Sequence, residues 1–210
     1  AAKKSRYIDD VYIATDDHRI SKICKKYNLN FILTSSSHLT GTDRVAEAVK
    51  KIKKKYDVII NVQGDEPFIT TNEIDKCYKE ISKSSKILAV NGIAKITKPE
   101  DVINPGVVKC VLNLSKDIIY LSRQAVPFPH IKVKAKIFFR QLGLYGFRNE
   151  ALDIFRNKNQ GILENMESIE MLRLIENRIV IKSFLTNISG IAVDTESDLA
   201  LAKKIINQKK

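Results

Sequence analysis

Two hydrophobic rhythms divide this chain. Short apolar runs at 11–15, 31–34 and 58–62 are rich in β-branched and aromatic residues and bounded by turn formers, which predicts buried strands. Between them the apolar positions recur at helical spacing. Asp17 is placed to cap a helix with Ile20, Ile23, Cys24 and Tyr27 on one stripe; Val45, Val49 and Ile52 mark a second helix; Thr70 and Glu73 form a capping-box pattern before a third carrying Ile74, Cys77, Tyr78 and Ile81. Strand and helix alternate through residues 7–81, and that alternation predicts a mostly parallel sheet flanked by helices. The rhythm then changes. Residues 87–123 read mostly as strand, with a turn at Asn104-Pro105-Gly106 and a hairpin at 113–116; 138–147 is extended; 165–177 returns to helix; 179–184 and 191–193 are strands. Thr195 and Asp198 cap a last helix with Leu199, Ala202 and Ile206 inward. The expected architecture is an α/β core with a smaller β-rich insertion lobe.

Composition narrows the class. The 210 residues are 44% hydrophobic, enough for one α/β domain with a real core. No apolar stretch is long enough to span a bilayer and no apolar signal core opens the chain, which predicts a soluble cytoplasmic protein without membrane insertion. Cys24, Cys77 and Cys110 are widely spaced and odd in number, so they suggest packed thiols rather than a disulfide framework or zinc site. His18, His38 and His130 do not share a ligand spacing. The formal net charge is +12, which invites a nucleic-acid reading, but the lysines are spread along the chain and no aromatic pattern interleaves with them. No nucleic-acid partner is expected; the charge suits small anionic ligands.

The chemistry concentrates at Asn61-Val62-Gln63-Gly64-Asp65-Glu66-Pro67, where an apolar strand ends in Gly, two carboxylates and Pro. Open α/β sheets bind ligands past the carboxyl ends of their strands, and a carboxylate there suits a hard cation such as Mg²⁺. Asp194 also stands at the end of an apolar run and before a cap. Taken alone, Asp65 reads equally as a turn residue and Asp194 as a helix N-terminal acid.

Several segments together resemble one family. They are Ile13-Ala14-Thr15-Asp16-Asp17, His38-Leu39-Thr40-Gly41-Thr42-Asp43-Arg44, the Asn61 to Pro67 turn, Asn104-Pro105 with Val108-Lys109, Tyr120-Leu121-Ser122-Arg123, Leu142-Gly143-Leu144-Tyr145-Gly146-Phe147-Arg148, the 167–173 helix and Val193-Asp194-Thr195. Their order and spacing resemble the 3-deoxy-manno-octulosonate (Kdo) cytidylyltransferases, or CMP-Kdo synthetases, over essentially the whole chain.

The resemblance implies a nucleotidyltransferase fold of the GT-A-like kind, with a nucleotide-binding core at 1–105 and 179–210 and a sugar-binding, dimerising lobe at about 106–178. It implies CTP and a 3-deoxy-ulosonic acid as substrates, Mg²⁺ as cofactor, a homodimer, and a role in lipopolysaccharide synthesis. It makes Asp65 and Asp194 the catalytic metal ligands. It places His38, Gly41, Thr42 and Arg44 near the cytidine, where the first N–H groups of a helix also suit an anion; helix capping by Thr42 with Asp43 in the first turn is the plainer reading of that segment. Arg123 offers a fork for the sugar carboxylate, with a salt bridge as its plainer reading. Gln63, Gln141, Tyr145, Glu167 and Glu170 are implied sugar contacts, Glu167 and Met171 sharing one helix face. Two positions depart from the family pattern: Gln141 stands where His is common and Met171 where Gln is common, which leaves the sugar open between Kdo, its 8-amino relative and another acid of that type. The family's phosphate loop, of the R-x-x-S-x-R-L-P-G-K kind, is expected upstream of the first strand; no such loop occurs in the 210 residues. The alternatives are a sialic-acid-type cytidylyltransferase and a non-catalytic nucleotide- or sugar-binding paralogue.

Overall fold

The computed structural model describes residues 1–128, 137–187, 192, 193 and 195–208. A short 3-10 turn at Ala2–Lys4 leads to strand β1 (Ile13–Thr15), which pairs in parallel with β2 (Phe31–Leu33) through helix α1 (His18–Lys26). Helix α2 (Gly41–Lys51), strand β3 (Ile59–Val62), helix α3 (Thr71–Ile81) and strand β4 (Ala89–Lys95) continue the alternation. Two caps act as their sequences direct: the N–H of Arg19 donates to the Asp17 carboxylate at 2.7 Å, and Thr195 and Asp198 close a reciprocal capping box. Thr70 is the N-cap of α3, but its side chain makes no cap bond, so the box expected there does not form.

The short helix α4 (Pro99–Ile103) interrupts the segment expected to be mostly strand, started by Pro99 at its first position. Strands β5 (Lys109–Leu112) and β6 (Asp117–Ser122) form the expected hairpin. Strand β7 (Phe139–Phe147) is followed by α5 (Asn149–Asn157), a helix not anticipated above, then α6 (Ile162–Glu167), α7 (Leu172–Glu176), β8 (Ile181–Leu185) and α8 (Glu196–Gln208).

The α/β class holds, but the main sheet is mixed rather than mostly parallel. Its order is β3-β7-β4-β8-β6-β5, with β5 also pairing β7. Only β4–β8 is parallel among these pairings, because β7 enters antiparallel between β3 and β4. The pairings of β7, β4, β8, β6 and β5 return to β7, a barrel-like closure that leaves no free edge within that circuit. Strands of the 106–178 region therefore share one sheet with those of the core.

Two apolar clusters hold the layers. One joins Leu121, Phe147, Leu152, Met171, Leu172 and Ile181; the other joins Ile74, Cys77, Ile81, Val90, Leu142 and Leu144 beneath α3. Two helices bury less than their patterns suggest. On α1 Cys24 is buried while Ile20, Ile23 and Tyr27 are exposed; on α8 Ala202 is buried while Leu199 and Ile206 are exposed.

Candidate functional site

Strand β3 ends at Val62, and the following turn is pinned to β7 from both sides. The Gln63 N–H donates to the Gly143 carbonyl at 2.8 Å, and the Gly143 N–H donates to Oε1 of Glu66 at 3.0 Å. Two glycines make room for the Gln63 side chain. A Cβ on Gly143 would stand 2.8 Å from the Gln63 Cβ, and one on Gly41 would stand 2.6 Å from its carboxamide. These are closer than real carbon contacts, so Gly41 and Gly143 serve close approach rather than a special φ.

Glu170 joins this turn to the start of α2. Its Oε1 accepts from Nε2 of Gln63 at 2.9 Å and from Oγ1 of Thr42 at 2.7 Å, while Oε2 accepts the Thr42 N–H at 2.8 Å. Nδ2 of Asn61, on β3, also donates to Thr42 Oγ1 at 3.4 Å. Desolvation raises the Glu170 carboxyl above its ordinary value, and the Thr42 donors oppose that rise. The N-terminus of α2 is thus occupied by the protein's own carboxylate rather than open to a ligand anion. Its N-cap is Thr40, not Thr42: Thr40 Oγ1 accepts the Asp43 N–H at 3.1 Å, and Thr42 is fully buried. Thr40 and Glu170 line a cavity of about 440 Å³ with Leu39, Gln160, Glu164, Asn165 and Ser168.

Tyr145 lies on β7 opposite Asn61 of β3 and Asn91 of β4. It is buried, and desolvation together with the charges of Glu170, Asp65 and Glu66 pushes its phenol well above the ordinary value. Nε2 of Gln141 donates to Oδ1 of Asn91 at 2.9 Å. Asn91, at an irregularity of the β4–β7 ladder, donates in turn to the carbonyls of Leu142 and Leu144. An Asn inside the apolar run Ala89-Val90-Asn91 was the available signal for this buried polar centre.

Asp65 stands just past β3, and its carbonyl accepts the N–H of Val193 at 2.8 Å, so the chain at 193 runs against this turn. Asp194 lies outside the described residues, as do His130 and Ile191. Among the described residues no group of three or more His, Cys, Asp or Glu clusters for a metal. The Asp65 carboxylate supplies oxygen donors of the kind Mg²⁺ prefers, at a strand end, so this residue fits such an ion.

A second corner forms around Glu167. Its carboxylate accepts from Tyr120 at 3.3 Å, from Ser122 at 2.7 Å and from the Arg123 N–H at 2.8 Å; burial opposes these donors, and the donors win, so the carboxyl lies below its ordinary value. The Arg123 guanidinium is not a simple salt-bridge partner. Nε donates to the Glu167 carbonyl at 2.6 Å, one terminal nitrogen to Pro105 at 2.9 Å and the other to Ser168 at 3.2 Å.

Glu167 and Met171 do not share a helix face. Ser168 sits at φ 52, ending α6, and Met171 is the N-cap of α7. Met171 is fully buried in the main cluster, where a thioether packs better than an amide. Arg44 reaches the ends of the two-stranded sheet, with its Nη1 3.1 Å from Asp16 and 2.7 Å from Oγ1 of Thr34. His38 pairs with Glu47 on the side of α2. Asp43 meets Arg173 at 2.6 Å, and Arg173 also takes both oxygens of the buried Glu164. That ion network, inside the protein, ties α2 to α6 and α7; no sequence spacing announces it.

Known proteins match this chain over nearly its whole length. The cytidylyltransferase family model matches residues 1–185. The chain belongs to the cytidylyltransferase family. It is 39% identical to the 3-deoxy-manno-octulosonate cytidylyltransferase of Chloroherpeton thalassium over 210 residues, covering 99% of this chain and 85% of the relative. It is 31% identical to the mitochondrial 3-deoxy-manno-octulosonate cytidylyltransferase of Arabidopsis thaliana, covering 99% of this chain and 72% of that one. A solved CMP:2-keto-3-deoxy-manno-octonic acid synthetase, complexed with CTP, superposes with a TM-score of 0.91 at 29% identity and covers 100% of this chain and 85% of that one. No described helix is long and apolar enough to cross a membrane.

Proposed function

We propose that this cytidylyltransferase transfers CMP from CTP to the anomeric hydroxyl of Kdo, releasing pyrophosphate and supplying a CMP-sugar for lipopolysaccharide. The observation that carries the reading is the whole-chain superposition on a CTP-bound synthetase of that sugar acid. The hydroxyl oxygen bonds to the α-phosphorus, the bond from that phosphorus to the β-phosphate bridge breaks, and the electron pair leaves with pyrophosphate. The hydroxyl proton passes to solvent. No protein nucleophile is needed, so positioning and electrostatics supply most of the rate.

In this reading the chain's residues divide the work. Gln63, clamped by Gly41, Gly143 and Glu170, presents a fixed amide to the sugar. Tyr145 and the Gln141–Asn91 pair shape the same side. Arg44, with His38, Gly41 and Thr42 nearby, orders the cytidine side. Asp65, with Asp194, would hold Mg²⁺; when bound, that ion supplies charge neutralisation at the phosphates and orients the reacting groups. Full-length protein carrying Asp65→Ala should keep its melting temperature and lose turnover; near-normal rates would remove Asp65 from the centre.

The enzyme acts in the cytoplasm, where CTP is available, as a homodimer. Leu114, Ile119 and Phe128 expose apolar surface in the 106–178 region, which supports pairing there. A monomer mass by sedimentation at working concentrations would contradict the dimer.

A further inference from the structure

Lys109 opens β5 and is completely buried. Its ammonium has three N–H donors, and all three meet main-chain carbonyls: Asn104 at 2.9 Å, Val107 at 2.6 Å, and Arg123. No described carboxylate lies within ion-pair distance of it. A buried ammonium without a paired carboxylate is costly. Three main-chain acceptors and the charge of Glu167 offset part of that cost and leave room for a reason beyond fold stability.

Its location gives one. The Asn104–Val107 turn is gripped by Lys109 at its first and last carbonyls and by Arg123 at Pro105. Lys109 also fixes the Arg123 carbonyl, while the Arg123 side chain and N–H hold Glu167 and Ser168. Two cations and one carboxylate make this corner net positive, and Ser168, held by Arg123, lines the same cavity as Glu170. Burial and the Arg123 charge lower the Lys109 ammonium, while Glu167 supports it. The guanidinium spends one N–H of each nitrogen on these carbonyls, and each terminal nitrogen carries a second N–H suited to an outside carboxylate.

We propose that Lys109 is a positioning residue for the sugar-acid subsite: its buried ammonium fixes the Arg123 main chain and the Asn104–Val107 turn, and so sets where the Arg123 guanidinium stands to receive the sugar carboxylate. The proposal rests on the function given above. A purely structural lysine would affect both substrates alike; a positioning lysine affects the sugar acid selectively.

The test uses the full-length protein with CTP, Mg²⁺ and Kdo. Lys109→Met should raise KM for the sugar acid about tenfold or more, with KM for CTP changed less than about twofold, a small ratio on the same scale. Lys109→Ala should recover sugar-acid affinity when ethylammonium is added. Equal changes in both KM values, or no change in either, overturn the proposal while leaving the function standing. Absence of turnover by the unaltered protein removes the function and the proposal with it. Should both variants be insoluble, the unaltered protein decides by nitrogen-15 NMR: sugar acid, and not CTP alone, should shift the Lys109 Nζ and Arg123 Nε signals, and unmoved signals on sugar saturation overturn the proposal.

Discussion

Nε2 of Gln63 donates to Oε1 of Glu170 at 2.9 Å, joining two residues 107 apart in sequence. That bond places the end of β3 and the first turn of α2 in one hydrogen-bonded unit, since Glu170 also takes the N–H and hydroxyl of Thr42. Glu170→Ala should release the Gln63 amide and leave the Thr42 donors unanswered. We expect kcat/KM for the sugar acid to fall about 10–100-fold, the usual weight of a bond to a charged group. Steady-state kinetics with each substrate varied checks this.

The glycine slot predicts a stability contrast. Gly143→Ala forces a carbon against the Gln63 Cβ and Glu66 Cγ and should cost about 1–3 kcal/mol, as overpacking does. A Cβ at Gly64 meets nothing within 4 Å, so Gly64→Ala should leave the denaturation midpoint nearly unchanged. Urea titration of both variants separates close approach from a general need for glycine in this motif.

Arg173 carries a different load. Its guanidinium is almost inaccessible, lies over the Phe155 ring at 4.7 Å and answers the buried Glu164 and the half-buried Asp43. Arg173→Met should therefore cost about 3–5 kcal/mol by stranding Asp43 and Glu164. Arg173→Lys should fall between, because a single ammonium cannot reproduce both paired contacts. Thermal or urea unfolding measures the order.

Acid should loosen the 35–47 region. Hydrogen bonds from Lys51 and the Ser35 N–H, with His38, hold the Glu47 carboxyl at about 2, below its ordinary 4.5. A lowered carboxyl stabilises the fold fully above its unfolded value and loses that contribution as the pH falls toward its folded value. The melting-temperature gap between the unaltered protein and Glu47→Gln should therefore shrink from pH 5 to pH 2.5. A constant gap would show that the carboxylate charge contributes nothing.

Local chemistry was legible in the sequence, and long-range pairing was not. The Asp17 cap, the Thr195–Asp198 box and the 113–116 hairpin each depend on residues a few positions apart, so their signals survive without tertiary context. The antiparallel entry of β7 between β3 and β4 depends on partners far away and leaves no periodic mark. Helix α5 had a usable signal in the spacing of Ala151, Leu152 and Phe155, all buried, but it follows directly on a long strand. The break at Ser168 gave none, since a serine in the left-handed region is uncommon. Gln63, Glu66 and Gly143 meet between β3 and β7, but His38 pairs with Glu47, Arg44 turns to Asp16 and Thr34, and Met171 packs into the core, because side-chain direction follows from tertiary contacts that sequence does not fix.

The central claim is CMP transfer from CTP to a 3-deoxy-ulosonic acid. The most direct measurement is pyrophosphate release by the full-length protein in an omission series. Release should require CTP, Mg²⁺ and Kdo together, with one CMP-sugar formed per pyrophosphate. Release without the sugar acid, or none with all three present, would contradict the account.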